Sequence, residues 1–383
     1  MDFGLSDDDA MFVDSVRQLA RERVAEHAAA WDDAGRVPDD VLGELGQLGL
    51  LGMEVPEAAG GAGLSTVATT AIIDTLAQAS GSLALLVSAH NFLSVAHLLA
   101  VGSDAQKAQW LGPMTAGPAV TAWALSETGS GSDAGAAATV ATRKGEDWVL
   151  DGTKAYITGG QHAGRLVVFA TTDPTDRKAG LTAFVVDADA EGVSVVERVR
   201  PLGVRAAAVA HLSLSGVTVG DDRRLGEVGA AMDDAKALLD RSRIGVAAMA
   251  CGLVAAALQA AGDYAQQREQ FGRPIASFQA IQWKLADMAT GLDAARALTM
   301  QAAWLRDAGR PFALAASRAK LFAAELASRA CSEALQVHGG YGYTREFPVE
   351  RLLRDAKATQ IAEGTSQIQR VLLSRAIAAR FAG

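Results

Sequence analysis

A carboxylate followed directly by a glycine stands at Glu363–Gly364, inside the stretch QIAEGTSQIQR (residues 360–370). Ser366 and Gln369 have the spacing of a capping box, so a helix is expected to begin near Ser366 and to leave Glu363 on the connection before it. A carboxylate on a short connection can be aimed into a site and, once desolvated, act as a base near neutral pH. Most charged residues on such segments are simply solvated, so the rest of the chain must supply a reason to read this one otherwise.

Two further stretches combine rings, hydroxyls and glycines. In WALSETGSGSDAG, from Trp123, the residues Trp123, Leu125 and Ser126 offer a ring, an apolar chain and a hydroxyl to a planar heteroaromatic ligand. In KAYITGG, from Lys154, Tyr156 again precedes a hydroxyl, Thr158, by two residues, and the two stretches are expected to line one site. The run Gly129 to Ala134 matches the dinucleotide fingerprint G-x-G-x-x-A, with Asp151 about twenty residues beyond Gly131. That fingerprint must open a long helix whose N-terminus takes a pyrophosphate. Here GAAATVATRKGEDWVLDG follows, which reads as strand, charged turn and strand, so a nicotinamide-binding Rossmann domain is set aside. The six histidines form no ligand-spaced cluster, and Cys251 and Cys331 lack CxxC spacing, so no metal is expected.

The elements that must hold these residues follow from pattern. With 383 residues, half of them hydrophobic, the chain can build several cores, and its net charge of −9 excludes nucleic acid as the main partner. Any phosphate site must therefore be local. MDFGLSDDDA lacks the basic region of a signal peptide and the arginines of a transit peptide, and the cysteines suit a reducing compartment, so a cytoplasmic protein is expected. Ser82 to Gly102 approaches membrane-spanning length, but His90, Asn91 and His97 interrupt it, and a buried helix is expected instead of a membrane span.

From Ser6 to about Gly117 the pattern is helical, with breaks expected at Val37–Pro38, at VPEAAGGAGLS and at Leu111–Pro113. Short β-branched runs with Asp-Gly and Glu-Gly turns occupy the middle. Helices return after Gly226, one with a stripe of Ile281, Leu285, Met288, Leu292, Ala295, Leu298, Ala302 and Leu305. Domains are thus expected over 1–118, 119–225 and 226–383.

Taken with REQFGRPIASFQAIQ (268–282) and QVHGGYGYTREFPVERLLRD (336–355), these motifs resemble the acyl-CoA dehydrogenase family, in order, from about Leu5 to the C-terminus. The resemblance implies a mixed α and β fold: an N-terminal α-helical domain, a central antiparallel β domain and a C-terminal four-helix-bundle domain. It also implies FAD in a crevice between the β domain and the bundle. Trp123, Leu125 and Ser126 match positions on the flavin ring, Tyr156 and Thr158 match its other wall, and Ser132 matches a position near the coenzyme A moiety. Arg268, Gln270 and Phe271, with Gln279, Gln336, Gly339 and Gly340, match contacts to the pyrophosphate and adenine of a neighbouring subunit's FAD; Thr365 and Gln367 match further FAD contacts.

Asp240, Arg243, Ala362 and Gly364 fall with Glu363 around the substrate. Glu363 matches the catalytic base, which removes the α-proton of the thioester while the β-hydrogen leaves as hydride to the flavin. The resemblance implies that the carbonyl is polarised by a ribityl hydroxyl of FAD and the Glu363 N–H. Some relatives carry the base on an earlier helix, at the position of Ser242, and serine cannot serve as that carboxylate.

The implied activity is conversion of a saturated acyl-CoA to the trans-2-enoyl-CoA in fatty acid β-oxidation, by a homotetramer that passes electrons to electron-transfer flavoprotein. An acyl-CoA oxidase, a flavin monooxygenase and a non-catalytic binding protein are the alternatives. Two departures stand out: Ala362 occupies a position where the family often has tyrosine, and LGVRAAAVAHLSLSGVTV lacks the polar residues common after the arginine matching Arg205.

Overall fold

The computed structural model describes residues 3–382; Met1, Asp2 and Gly383, inside the expected domain limits, lie outside the described residues. The chain begins with α1 (Asp7–Leu19), whose N-cap Ser6 accepts from the Asp9 N–H at 3.1 Å and whose first turn holds three aspartates. Both features favour a helix start there. Next come α2 (Ala28–Ala34), α3 (Asp39–Gln47), α4 (Thr66–Ala79), α5 (Gly81–Ala89), a π-helical stretch His90–Val95, α6 (Ala96–Val101) and α7 (Asp104–Thr115). The break expected at Val37–Pro38 falls between α2 and α3, but the break expected at Leu111–Pro113 is absent: α7 runs through Pro113 to Thr115. Pro113 lies in the last turn of the helix, and its missing N–H leaves one backbone donor fewer for the Gln109 carbonyl.

Gly81 to Val101 is one continuous, mostly buried helical run. Its polar residues act as fasteners. Asn91 accepts from the Met53 N–H and donates to Leu50 and Val87 carbonyls, while His90 bridges the Leu51 carbonyl and the Thr121 N–H at 2.9 Å each. This run and α8 (Ala231–Gln267) are long and apolar enough to cross a membrane, and both are instead packed within the fold.

The middle part contains β1 (Thr121–Ala124), β2 (Val140–Lys144), β3 (Asp147–Ile157), β4 (Arg165–Thr171), β5 (Leu181–Asp187), β6 (Val193–Arg198), β7 (Ala210–Gly220) and β8 (Arg224–Leu225). The order is β6-β7-β3-β2-β4-β5-β8, with β1 paired to β4. Its long ladders are antiparallel, but β1 runs parallel to β4, from Thr121↔Arg165 to Ala124↔Val168, and β2 makes one parallel bridge to Thr171 of the same strand. The expected antiparallel β domain is present, with this short parallel pairing added at β4. β1 and β2 dock one after the other along β4, so the chain leaves and rejoins in one direction, and the segment between them is the glycine-rich stretch 125–139. Only a 3₁₀ turn, Ala134–Ala136, follows those glycines, as the rejection of a Rossmann loop requires.

After α8 come a two-residue hairpin, β9 (Glu269–Gln270) with β10 (Arg273–Pro274), and then α9 (Gln279–Asp307), α10 (Ala313–His338), α11 (Val349–Thr359) and α12 (Ser366–Ala382). On α9, Met288, Leu292, Ala295 and Ala302 are buried, and the other stripe residues are half-buried. The helix α8 packs against α4, α5, α9, α10 and α11 and so joins the first and last parts of the chain. Its approach to α5 is close: a Cβ on Gly245 would stand 2.2 Å from Ser88 Oγ, so only glycine fits.

Candidate active site

Glu363 lies on the turn between α11 and α12 with φ +54°, followed by Gly364 at φ +95°. A non-glycine residue in the left-handed region costs about 1–2 kcal/mol and must be held there by its surroundings. Thr365 Oγ1 accepts from the Ile368 N–H at 3.2 Å, and Gln369 Nε2 turns back to the Gly364 carbonyl at 2.9 Å. The helix starts at Ser366 as expected, with Thr365 rather than Ser366 providing the capping hydroxyl and Gln369 holding the turn instead of completing a capping box. Lys320 Nζ, reaching from α10, donates to the same Gly364 carbonyl at 2.5 Å.

The residue is half-buried, yet its Oε2 is shut away from solvent with no hydrogen-bond partner among the described residues. Burial pushes the Glu363 carboxyl up to about 7, against the opposing pull of the Ser242 hydroxyl and the charges of Lys320 and Arg243. Arg243 pairs with Asp240 one turn earlier on α8 and reaches Ser317 Oγ at 3.4 Å, so its ion pair lies within one helix. The Glu363 N–H donates to no acceptor among the described residues and is free for a ligand. Ala362 and Gly364 flank Glu363 and are half-buried. The arrangement is a carboxylate that takes up a proton near neutrality, beside a free backbone donor.

The two aromatic-hydroxyl stretches come together as expected. The Ala155 N–H donates to the Ser126 carbonyl at 2.8 Å, and Lys154 Nζ reaches the Leu125 carbonyl at 3.3 Å and Glu127 Oε1 at 2.7 Å. Burial alone would raise the Glu127 carboxyl, but Lys154, Thr139 and the Ala138 N–H hold it below the usual carboxylate range. A register shift between Lys154 and Ile157 turns Tyr156 outward at φ +58°, 64% exposed, with its edge on His211. Bulges commonly re-aim side chains in this way at sites. Trp123 meets Phe169 edge-on and points its Nε1 at His97 Nδ1 at 3.4 Å. Leu125 is buried, Ser126 and Thr158 are half-buried, and Ser132 is exposed on the glycine-rich segment.

A separate cavity of about 580 Å³ is lined by Arg268, Gln270, His338, Gly339, Gly340 and Tyr341, so four residues matched to dinucleotide contacts converge there. Arg268 lies over the Tyr341 ring and has no carboxylate within 4.0 Å among the described residues, while space around Gly339 and Gly340 is open for 4 Å. An exposed unpaired guanidinium beside two bare glycines suits a pyrophosphate. These residues fit the FAD that the motifs call for. Phe271, Gln279 and Gln336 do not line this cavity; all three are exposed on the same part of the chain. Thr365 and Gln367 stand at the start of α12.

Sequence reading missed Lys320. The signal was present: Ala316, Lys320, Ala323, Ala327, Ala330 and Ala334 form one buried stripe, and a lysine on such a stripe needs a reason.

Three family models match in chain order: the acyl-CoA dehydrogenase N-terminal domain over residues 6–118, the middle domain over 122–217 and the C-terminal domain over 232–378. The short-chain specific acyl-CoA dehydrogenase, mitochondrial, of Bos taurus is 41% identical over 364 residues, covering 95% of this chain and 88% of that protein. The solved butyryl-CoA dehydrogenase of Megasphaera elsdenii superposes with a TM-score of 0.96 at 35% identity, over 98% of this chain and all of that one. A chain from work on the electron transferring flavoprotein of Acidaminococcus fermentans and flavin-based electron bifurcation gives the same TM-score at 37% identity, over 98% and 99%. Shared domain order over nearly the full length places this chain in the acyl-CoA dehydrogenase family of FAD-dependent oxidoreductases.

Proposed function

We propose that the protein oxidises a short saturated acyl-CoA to its trans-2-enoyl-CoA, with Glu363 as the base, and passes the electrons to an electron-transfer flavoprotein. The observation that carries this reading is the shielded Glu363 carboxyl, pushed up to about 7 by burial, on a turn whose N–H is free. The α-proton beside a thioester is weakly acidic. A desolvated carboxylate that is still ionised at neutral pH is strong enough to take it once the carbonyl is polarised. The Glu363 N–H would be the protein's donor to that carbonyl, with Arg243 and its partner Asp240 near the thioester end of the substrate and Ser132 toward the coenzyme A moiety. Bound FAD supplies the acceptor for the departing hydride.

Trp123, Leu125 and Ser126 would hold one face of the flavin, and Tyr156 and Thr158 the other wall. Arg268, Gln270, Gly339 and Gly340 would hold the pyrophosphate and adenine. A short acyl group is favoured by the names of the cattle and Megasphaera relatives, and the electron partner by the Acidaminococcus study. Phe271, Trp283, Phe322, Tyr343, Ile377 and Phe381 leave apolar surface exposed around the last helices, which suits a homotetramer with Phe271, Gln279 and Gln336 at its interfaces.

Anaerobic mixing with acyl-CoAs of graded length and branching tests the reading. Short saturated thioesters should bleach the flavin and yield the trans-2-enoyl product; a yellow enzyme left unreduced by all of them would overturn it.

A further inference from the structure

The side chain of Lys320 is fully buried, and among the described residues no carboxylate lies within 4.0 Å of its ammonium. Its one hydrogen bond is the 2.5 Å donation to the Gly364 carbonyl. A buried ammonium without a counter-ion is expensive, so its position beside the active-site turn needs a compensating charge. Charged and polar groups face Glu363 from two helices: Ser242 and Arg243 on α8, and Lys320 on α10. Arg243 is already matched by Asp240. Glu325, one turn further on α10, is engaged by Arg370 at 3.6 Å and by Gln360 Nε2 at 3.0 Å. This leaves Lys320 as the unmatched cation and Glu363 as the unmatched anion of the site.

We propose that Lys320 is a positioning residue for the base: it tethers the Glu363–Gly364 turn through the Gly364 carbonyl, and its unpaired charge favours the ionised form of the desolvated Glu363 before substrate arrives. The tether explains how Glu363 is held at φ +54° against its strain. The charge explains how a carboxylate without a direct partner on Oε2 remains usable as a base. Burial also pulls the Lys320 ammonium down to about 8, as a cation with distant compensation should behave. The inference rests on Glu363 being the base for its catalytic meaning, but not for its electrostatic content.

The test separates the two. In the purified holoenzyme, the protonated Glu363 carboxyl is followed by infrared difference titration, its band identified by loss in Glu363→Gln. Lys320→Met keeps length and removes both tether and charge, and should raise the Glu363 midpoint by at least about one unit, a tenfold gain in proton affinity. The pH profile of flavin bleaching should move by the same amount. Lys320→Gln restores a donor without charge, so it should recover thermal stability while leaving the midpoint raised.

A folded Lys320→Met with an unchanged midpoint, or a Lys320→Gln whose midpoint returns to the wild-type value, overturns the proposal. If neither variant folds, the ε-carbon resonance of Lys320 still decides: its midpoint should fall further in Glu363→Gln, and no response sinks the idea. Normal bleaching by Glu363→Gln together with a shifted carboxyl titration would refute the base and leave the coupling standing.

Discussion

At the scale of single residues, the site depends on one carboxyl group kept out of water. Glu363→Gln is nearly isosteric but cannot accept the α-proton, so fold and FAD content should persist. The rate of flavin reduction should drop by roughly 10²–10⁴, or about 3–6 kcal/mol at 1.4 per decade. Stopped-flow reduction with a short acyl-CoA measures this, and a near-normal rate removes Glu363 from the role. With Glu363 as the proposed base, only its ionised form would act, and because burial raises its carboxyl to about 7, the wild-type reduction rate should climb as pH rises through about 7 and then level off.

Ala362, half-buried beside the base, makes a second residue-level prediction. A methyl group in place of a phenol leaves room near the α- and β-carbons, so branched acyl groups should be tolerated. Ala362→Tyr should lower the ratio of kcat/KM for branched over linear acyl-CoA by roughly tenfold or more, since pocket filling discriminates by about 1–3 kcal/mol. An unchanged ratio in a folded, yellow variant would show that another side chain sets the width.

At the scale of elements, the three parts of the chain meet around α11. Arg354 pairs with Asp32 from α2 at 2.8 Å and donates to the Leu202 carbonyl at 3.2 Å, while the neighbouring Asp355 accepts from the Val204 N–H at 2.6 Å. Asp355 is 1% exposed, and burial pushes its carboxyl up to about 7. Its folded value exceeds the unfolded value near 3.9, so the folded state binds the extra proton between about pH 4 and 7. The contribution of this group to stability is therefore full below about pH 4 and is lost as pH rises to 7.

Asp355→Asn keeps an acceptor for Val204 and removes the titration. Relative to the wild type, the variant should gain stability progressively from about pH 4 to 7, reaching roughly 4 kcal/mol from a shift of about three units. Denaturant midpoints of both proteins across that range measure it; parallel curves would show that Asp355 does not titrate in the window.

At the scale of the whole molecule, the cavity lined by Arg268, Gln270, Gly339 and Gly340 is open to the outside of the chain, next to exposed Phe271 and Tyr343. If that cavity takes the dinucleotide end of a neighbouring subunit's FAD, cofactor retention and assembly are one equilibrium. Arg268→Ala should then weaken both together, through loss of a charge-assisted contact that contributes about 1.5–3 kcal/mol. FAD content and oligomer mass, followed over a dilution series, provide the readout. Wild-type values of both would place the pyrophosphate elsewhere.

The sequence by itself determined the three-part order, the β-rich middle, the glycine-rich segment that opens no helix, and the position of Glu363 on a connection before the last helix. These depend on periodicity, turn residues and caps, which act over a few neighbours. Three details differ from the pattern: α7 runs on through Pro113 to Thr115, β1 pairs in parallel with β4 across the chain, and the hydroxyl capping α12 is that of Thr365. Only the tertiary structure decided that Lys320, 44 residues before Gly364, donates to its carbonyl, and that Asp355 meets Val204 across 151 residues. The state of a buried carboxyl depends on desolvation and on charges brought from other elements. Those quantities exist only once the helices have packed.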